Sequence, residues 1–194
     1  FRENKIEERK LLVISKAKKI GLPFVYCNMV GGQDELIFDG SSFAVSKKGI
    51  LLSHAKSFNE ELQIIDLNLS KKIKYLPASR EEEIFNALRL GVKDYFSKTN
   101  HEKAIIGLSG GIDSALVATI AVSALGNKNV YGFSLPSKFS SEHSLIDAKE
   151  LATNLGIQYQ VIKIHSLVSS FDTTLQPNGE NPRSDIAKEN IQSR

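Results

Sequence analysis

A β-branched apolar run, two adjacent glycines and a long apolar helix follow one another without a break in AIIGLSGGIDSALVATIAVSALG, residues 104–126. Strand, glycine turn and helix in that order constrain the chain more than any other feature. They call for an α/β sheet with the turn at the carboxyl end of a strand, where ligands bind. A Walker-type loop would carry a lysine there, yet an aspartate, Asp113, stands near the place a cation is expected. Gly110 and Gly111 free the backbone to converge its N–H groups on an anion. Ser109 and Ser114 add hydroxyls, and the helix start near Asp113 adds its positive dipole end. Asp113 would repel a bare phosphate. It makes sense if Mg²⁺, which takes one or two carboxylates together with phosphate oxygens, lies between them. The plainer alternative keeps Ser-Gly-Gly as a tight turn and Asp113 as a helix cap.

From residue 104 onward the pattern alternates. Strands are expected over 104–108, 129–135 and 157–164, and helices over 113–125 and 142–155, with Gly126 and Gly156 as helix exits. Right-handed βαβ crossovers and a parallel sheet follow. The 114–125 helix is apolar nearly all round, which predicts a central position.

The earlier part is α+β in local pattern. Ile6, Val13, Ala17 and Ile20 lie at helical spacing over 5–20, ending at Gly21. LPFVYCNMV (22–30) reads as a buried strand, GGQDELIFDGSS (31–42) as a polar glycine loop, and FAVSKKGILLSHA as a hairpin turning at Lys48-Gly49. Residues 66–80 show no sustained period and read as a linker, followed by a helix over 81–97. The acidic run at 81–83 suits a helix start. The expected domains are therefore 1–65, linker 66–80, and 81–194.

Composition excludes several functions. One cysteine, Cys27, rules out an internal disulfide framework and fits a reducing, cytoplasmic setting. No run approaches the ~18 apolar residues of a membrane span. The net charge of +3 comes from lysines spread along the chain, a weak argument for nucleic acid. The chain starts in a charged helix with no signal-peptide pattern, and both ends read as cut. His54, His101, His143 and His165 lack metal-ligand spacing and read as surface or loop residues.

SGGIDSA resembles the signature of ATP pyrophosphatases, which cleave ATP between the α and β phosphates. Within that group the chain is similar to glutamine-dependent NAD⁺ synthetases in NMVGGQDELIFDGSSF (28–43), GLSGGIDSALVATIAVSALG (107–126), LPSKFSSEHSLIDAKELATNLGI (135–157) and ENIQSR (189–194). The first of these strings belongs to the nitrilase-like glutaminase half. The resemblance implies a Rossmann-like ATP pyrophosphatase domain, preceded by the carboxy-terminal part of an α+β nitrilase-like sandwich.

It implies further that glutamine is hydrolysed to ammonia in one half. The other half adenylates deamido-NAD⁺ with ATP and Mg²⁺, and ammonia then displaces AMP. Gly107, Leu108, Ser109, Gly110, Gly111, Ile112, Asp113 and Ser114 would line ATP, with Asp113 also on the metal. Asn190 would contact deamido-NAD⁺, and Lys5 would bind glutamine. A surface amide at 190 and a solvated lysine at 5 are the plain alternatives. The amidase Glu-Lys-Cys set is expected upstream of this chain, and the segment completing the synthetase site is expected downstream. Cys27 reads as a buried small hydrophobe in mid-strand rather than the nucleophile. Homologous synthetase domains imply a homo-oligomer. Two alternatives remain: another amidotransferase of the same loop type, such as a GMP synthetase, or a nucleotide-binding module without turnover.

Overall fold

The computed structural model describes residues 1–68, 73–136 and 141–175. Its contacts divide the chain into two units, Phe1–Asn100 and His101–Arg194. In the first unit, helix α1 (Lys5–Ile20) buries Ile6 and Ala17. It stops at Gly21, whose left-handed φ of 74° brings its N–H to the Ala17 carbonyl at 2.9 Å. Ile20, expected on the buried stripe, is exposed in the last turn.

Strands β1 (Phe24–Tyr26), β2 (Val30–Gln33), β3 (Leu36–Asp39), β4 (Phe43–Val45) and β5 (Leu51–His54) follow, then helix α2 (Arg80–Lys98). β1, β4 and β5 form one antiparallel sheet in that order, and β2 and β3 pair separately. The β4–β5 hairpin lies where the alternation placed it. The two segments before it differ from expectation. Residues 22–30 do not form one buried strand: β1 ends at Tyr26, Val25 faces outward, and Cys27 is exposed beyond the strand end. Residues 31–42 are not a loop, because Val30–Gln33 pairs antiparallel with Leu36–Asp39.

The glycines that suggested a loop serve a close approach. A Cβ on Gly31 would lie 3.3 Å from the Asp94 carboxylate, and Gly32 donates its N–H to that carboxylate at 2.7 Å. Ser79 caps α2 by accepting the Glu82 N–H at 3.2 Å. The helix expected to open the second domain thus packs on the β2–β3 hairpin within the first unit.

The first core gathers Ala17, Phe43, Val45 and Leu51, with Phe24, Tyr26, Ile73 and Tyr75 against them. Ile73 and Tyr75 come from the expected linker. Ile73 is drawn in by its N–H bond to the Leu51 carbonyl at 3.2 Å, a pairing no local pattern encodes. His54 is likewise not a surface residue. Its ring stacks on Tyr75 at 3.9 Å and lies beside Phe43 at 6.2 Å, while Nδ1 donates to the Ala55 carbonyl at 2.9 Å.

Burial lowers the His54 pKa below its ordinary 6.5; the bond to Ala55 opposes the shift and Lys10 reinforces it. The unfolded chain therefore takes up a proton that the folded chain refuses. The His54 contribution is complete above 6.5 and declines as the pH falls toward the depressed folded value. His54→Phe, which keeps a ring in the stack, is expected to flatten this decline. Urea titrations at about pH 7.5 and about pH 5.5 measure it. Equal losses in both proteins would assign the acid sensitivity to other groups.

The second unit is a three-stranded parallel sheet ordered β6 (Ala104–Gly107), β7 (Val130–Ser134), β8 (Gln158–Val161). Helix α3 (Ile112–Leu125) joins β6 to β7 after a single 3₁₀ turn, helix α4 (Glu142–Leu155) leads into β8, and α5 (His165–Leu175) follows. The alternation and the parallel sheet agree with the sequence. Leu108, Ala118, Ala121, Val130, Ala148, Ala152 and Ile157 form the core. α3 is not wholly central: Ile112 is 81% exposed, and Leu116 and Val117 face out with it. Its Ala118, Ala121, Val122 and Leu125 join the core of this unit, and Ile120 is buried as well. An all-round apolar helix supports either placement, and packing chose one side.

Candidate functional site

The glycine turn sits at the carboxyl end of β6, as its sequence requires. Leu108 is buried and spent on the sheet: its N–H donates to the Phe133 carbonyl at 2.7 Å, and its carbonyl accepts from Ser134 Oγ at 2.6 Å. Beyond it the chain turns outward. Gly110 has a φ of 81°, a left-handed conformation that favours glycine. A Cβ there would stand 2.5 Å from the carbonyl oxygen of Ser144 in α4, so the loop lies directly against that helix. Gly111, extended at φ −87°, is the N-cap of α3 and offers no side chain to its amides.

The hydroxyls tie the turn together. Ser109 Oγ accepts the Gly111 N–H at 3.2 Å and lies 3.2 Å from Ser114 Oγ. Ser114 Oγ donates to the Gly111 carbonyl at 2.9 Å and accepts the Ser109 N–H at 3.3 Å. Ser109, Gly110, Gly111 and Ser114 are thus brought into one turn at a helix N-terminus, the arrangement that receives anions.

Asp113 is the second residue of α3, so it is not the cap. It is exposed and takes no hydrogen bond or ion pair from any described residue. The alternative that reserved its carboxylate for capping does not hold. Among the described residues no group of three or more His, Cys, Asp or Glu side chains could hold a metal. A lone exposed carboxylate of this kind suits Mg²⁺, which takes one or two carboxylates and completes its shell with phosphate oxygens and water.

Lys5 stands at the first residue of α1, 3.2 Å from Glu8. It lines a cleft of about 520 Å³ with Arg9, Tyr26, Asn28 and Asp39. Asp39 is buried, held by Arg9 at 2.6 and 2.7 Å and by the Asn28 amide at 2.8 Å. Asn190 lies outside the described residues. His101, His143 and His165 are exposed. No described helix is long and apolar enough to cross a membrane.

Sequence reasoning missed Ser134, Tyr159 and Ser144. Ser134 ends β7, and its place at a strand's carboxyl end was the available signal. Tyr159, which donates to Ser134 Oγ at 2.8 Å, and Ser144 carried none.

A family model described as NAD synthase matches residues 84–194. The glutamine-dependent NAD(+) synthetase of Synechocystis sp. is 45% identical over 192 residues, covering 96% of this chain and 34% of its own length. That of Thermotoga maritima is 38% identical, covering 96% of this chain and 39% of its own length. The structure of glutamine-dependent NAD+ synthetase from Acinetobacter baumannii in complex with ADP superposes with a TM-score of 0.91 at 39% identity. It covers 99% of this chain and 38% of that one. The chain spans about a third to two fifths of the length of such curated relatives.

Proposed function

The chain belongs to the NAD synthase family, and on that premise we propose that it forms part of a carbon–nitrogen ligase converting deamido-NAD⁺ to NAD⁺. ATP is the activating substrate, and glutamine or free ammonia is the nitrogen source. The observation that carries this reading is the turn Gly107–Ser114, in which two serine hydroxyls gather at a helix start without a side-chain cap and the exposed Asp113 has no partner among the described residues.

A nicotinate carboxylate is a poor electrophile at neutral pH. Its oxygen attacks the α-phosphorus of ATP, the bond to the β-phosphate oxygen breaks, and pyrophosphate leaves with the electron pair. Ammonia then adds to the acyl carbon, AMP departs, and one proton is released. In this chain the amides at the start of α3 and the hydroxyls of Ser109 and Ser114 hold the polyphosphate. Leu108 anchors the turn to the sheet, and Gly107 and Ile112 flank it. The open carboxylate of Asp113 suits Mg²⁺, which when bound neutralises charge on the departing pyrophosphate.

The remaining assignments belong to the same reading. Residues 1–65 are the end of a nitrilase-like glutamine amidase, 66–80 a linker, and 81–194 the synthetase part. Lys5 binds glutamine in the cleft beside Arg9, a role supported by its place in the lining of that cleft. Asn190 contacts deamido-NAD⁺. Cys27, exposed beyond a strand end, is not the amidase nucleophile. The enzyme works in the cytoplasm as a homo-oligomer, with neither nucleic acid nor membrane as a partner.

The test is to supply the full-length protein with ATP, magnesium, deamido-NAD⁺ and either ammonium or glutamine. NAD⁺, AMP and pyrophosphate are expected in equal amounts. ADP and inorganic phosphate as products would overturn the proposal. Amidation of xanthylate in place of deamido-NAD⁺ would favour a GMP synthetase-like enzyme. ATP binding without turnover of any acid would leave a nucleotide-binding module.

A further inference from the structure

A buried hydroxyl pair behind the glycine turn is assigned no role by the reading above. Ser134, 3% exposed at the end of β7, donates through Oγ to the Leu108 carbonyl at 2.6 Å. Tyr159, on the neighbouring strand β8, donates its hydroxyl to that Oγ at 2.8 Å. A serine hydroxyl has one proton, and with the tyrosine proton on its lone pair that proton is committed to Leu108.

The consequence runs through one peptide plane. In a trans peptide the carbonyl and the following N–H are coplanar and point in opposite directions. Fixing the Leu108 carbonyl toward Ser134 therefore fixes the Ser109 N–H toward the turn. There it meets Ser114 Oγ at 3.3 Å, a long bond for an amide donor. The Leu108 N–H belongs to the preceding peptide and is held by Phe133 at 2.7 Å, which anchors the strand side of the Leu108–Ser109 plane and leaves the orientation of that plane to the Ser134 bond and the long Ser114 contact.

We infer that Ser134, held in place by Tyr159, is a positioning residue for ATP: it aims the Ser109 amide at the polyphosphate through the Leu108–Ser109 peptide. This rests on the nucleotide reading of the turn. A purely structural Ser134 would do no more than satisfy a buried carbonyl, and its loss would then appear in stability alone.

The experiment compares Ser134→Ala, Ser134→Thr and Tyr159→Phe in the full-length protein. Calorimetric affinity for ATP, KM for ATP, KM for deamido-NAD⁺ and the thermal midpoint are measured for each. Ser134→Ala is expected to weaken ATP about tenfold, the scale of one hydrogen bond to a charged group, with KM for deamido-NAD⁺ within about twofold. Ser134→Thr keeps the hydroxyl and restores ATP affinity. Tyr159→Phe gives a loss of about threefold, since it frees the serine proton without removing it.

A lowered midpoint with unchanged ATP affinity in Ser134→Ala overturns the inference. If Ser134→Ala does not fold, unchanged ATP affinity in a folded Tyr159→Phe overturns it equally. A wild-type protein that binds no ATP overturns the nucleotide reading, and this inference with it. Wild type that binds ATP, beside variants that bind it equally well, overturns the inference alone.

Discussion

Asp113→Asn in the full-length enzyme is expected to lower kcat/KM by about 10²- to 10³-fold, the scale of losing one group that stabilises charge in the transition state. The unfolding midpoint should move by no more than about 3 °C. The separation follows from the geometry. Gly111, not Asp113, occupies the N-cap of α3, and no described residue pairs with the carboxylate. The fold loses only a favourable charge near a helix start. On the proposed reading, the site loses the anionic ligand of the cation that would lie between it and the polyphosphate. Steady-state kinetics together with differential scanning calorimetry measure both quantities on one preparation. ATP affinity that is the same with and without magnesium in wild type would remove the metal role given to Asp113.

The second large effect is Gly110→Ala. At φ 81° any side chain is strained, and the new Cβ would stand 2.5 Å from the Ser144 carbonyl oxygen and 2.7 Å from its Cα. Both are backbone atoms of α4, so no rotamer change relieves the overlap. A stability loss of about 2–4 kcal/mol is expected from left-handed strain and overpacking together. ATP binding should fall by about 100-fold or more as the turn moves off the helix start. Gly107→Ala is the control, because a Cβ there meets nothing within 4 Å and its φ lies outside the left-handed region. Denaturant midpoints for the two variants decide the matter. Equal stability would mean that the turn and α4 separate without penalty.

Much of the candidate site was legible because its information is local. The β6 run, the Gly110–Gly111 turn and the apolar α3 lie in consecutive residues, and each has its own propensity. The parallel sheet followed from the spacing of apolar runs and from Gly126 and Gly156. What remained hidden depended on distant partners. Gly31 and Gly32 read as a loop because their reason for being glycine, the Asp94 carboxylate, lies 62 residues from Gly32. His54 read as a surface residue because the ring that covers it, Tyr75, comes from an apparent linker. Ser134 and Tyr159 are ordinary strand residues until β7 and β8 are set side by side. The outward side of α3 could not be foreseen, since an apolar periodicity does not say which face will find a partner.

The contact between α2 and the glycine hairpin bears on how securely that hairpin can be paired. Two adjacent glycines give a strand little side-chain information with which to fix its register, and such strands are prone to slip or to recruit another chain along an open edge. Among the described residues β2 pairs with β3 alone, and its other edge meets α2. At that edge Gly32 gives its N–H to Asp94 at 2.7 Å and its carbonyl accepts from Lys98 Nζ at 2.6 Å, while Asp94 and Lys98 pair with each other at 2.6 Å. Two side chains one helical turn apart thus imitate a neighbouring strand for a single residue. A slip by one position would turn the Gly32 groups inward toward β3 and break both of these bonds. Helix α2 therefore acts as a gauge for the hairpin: it favours the register in which Gly32 meets both side chains, and it covers the edge against strand addition at that residue.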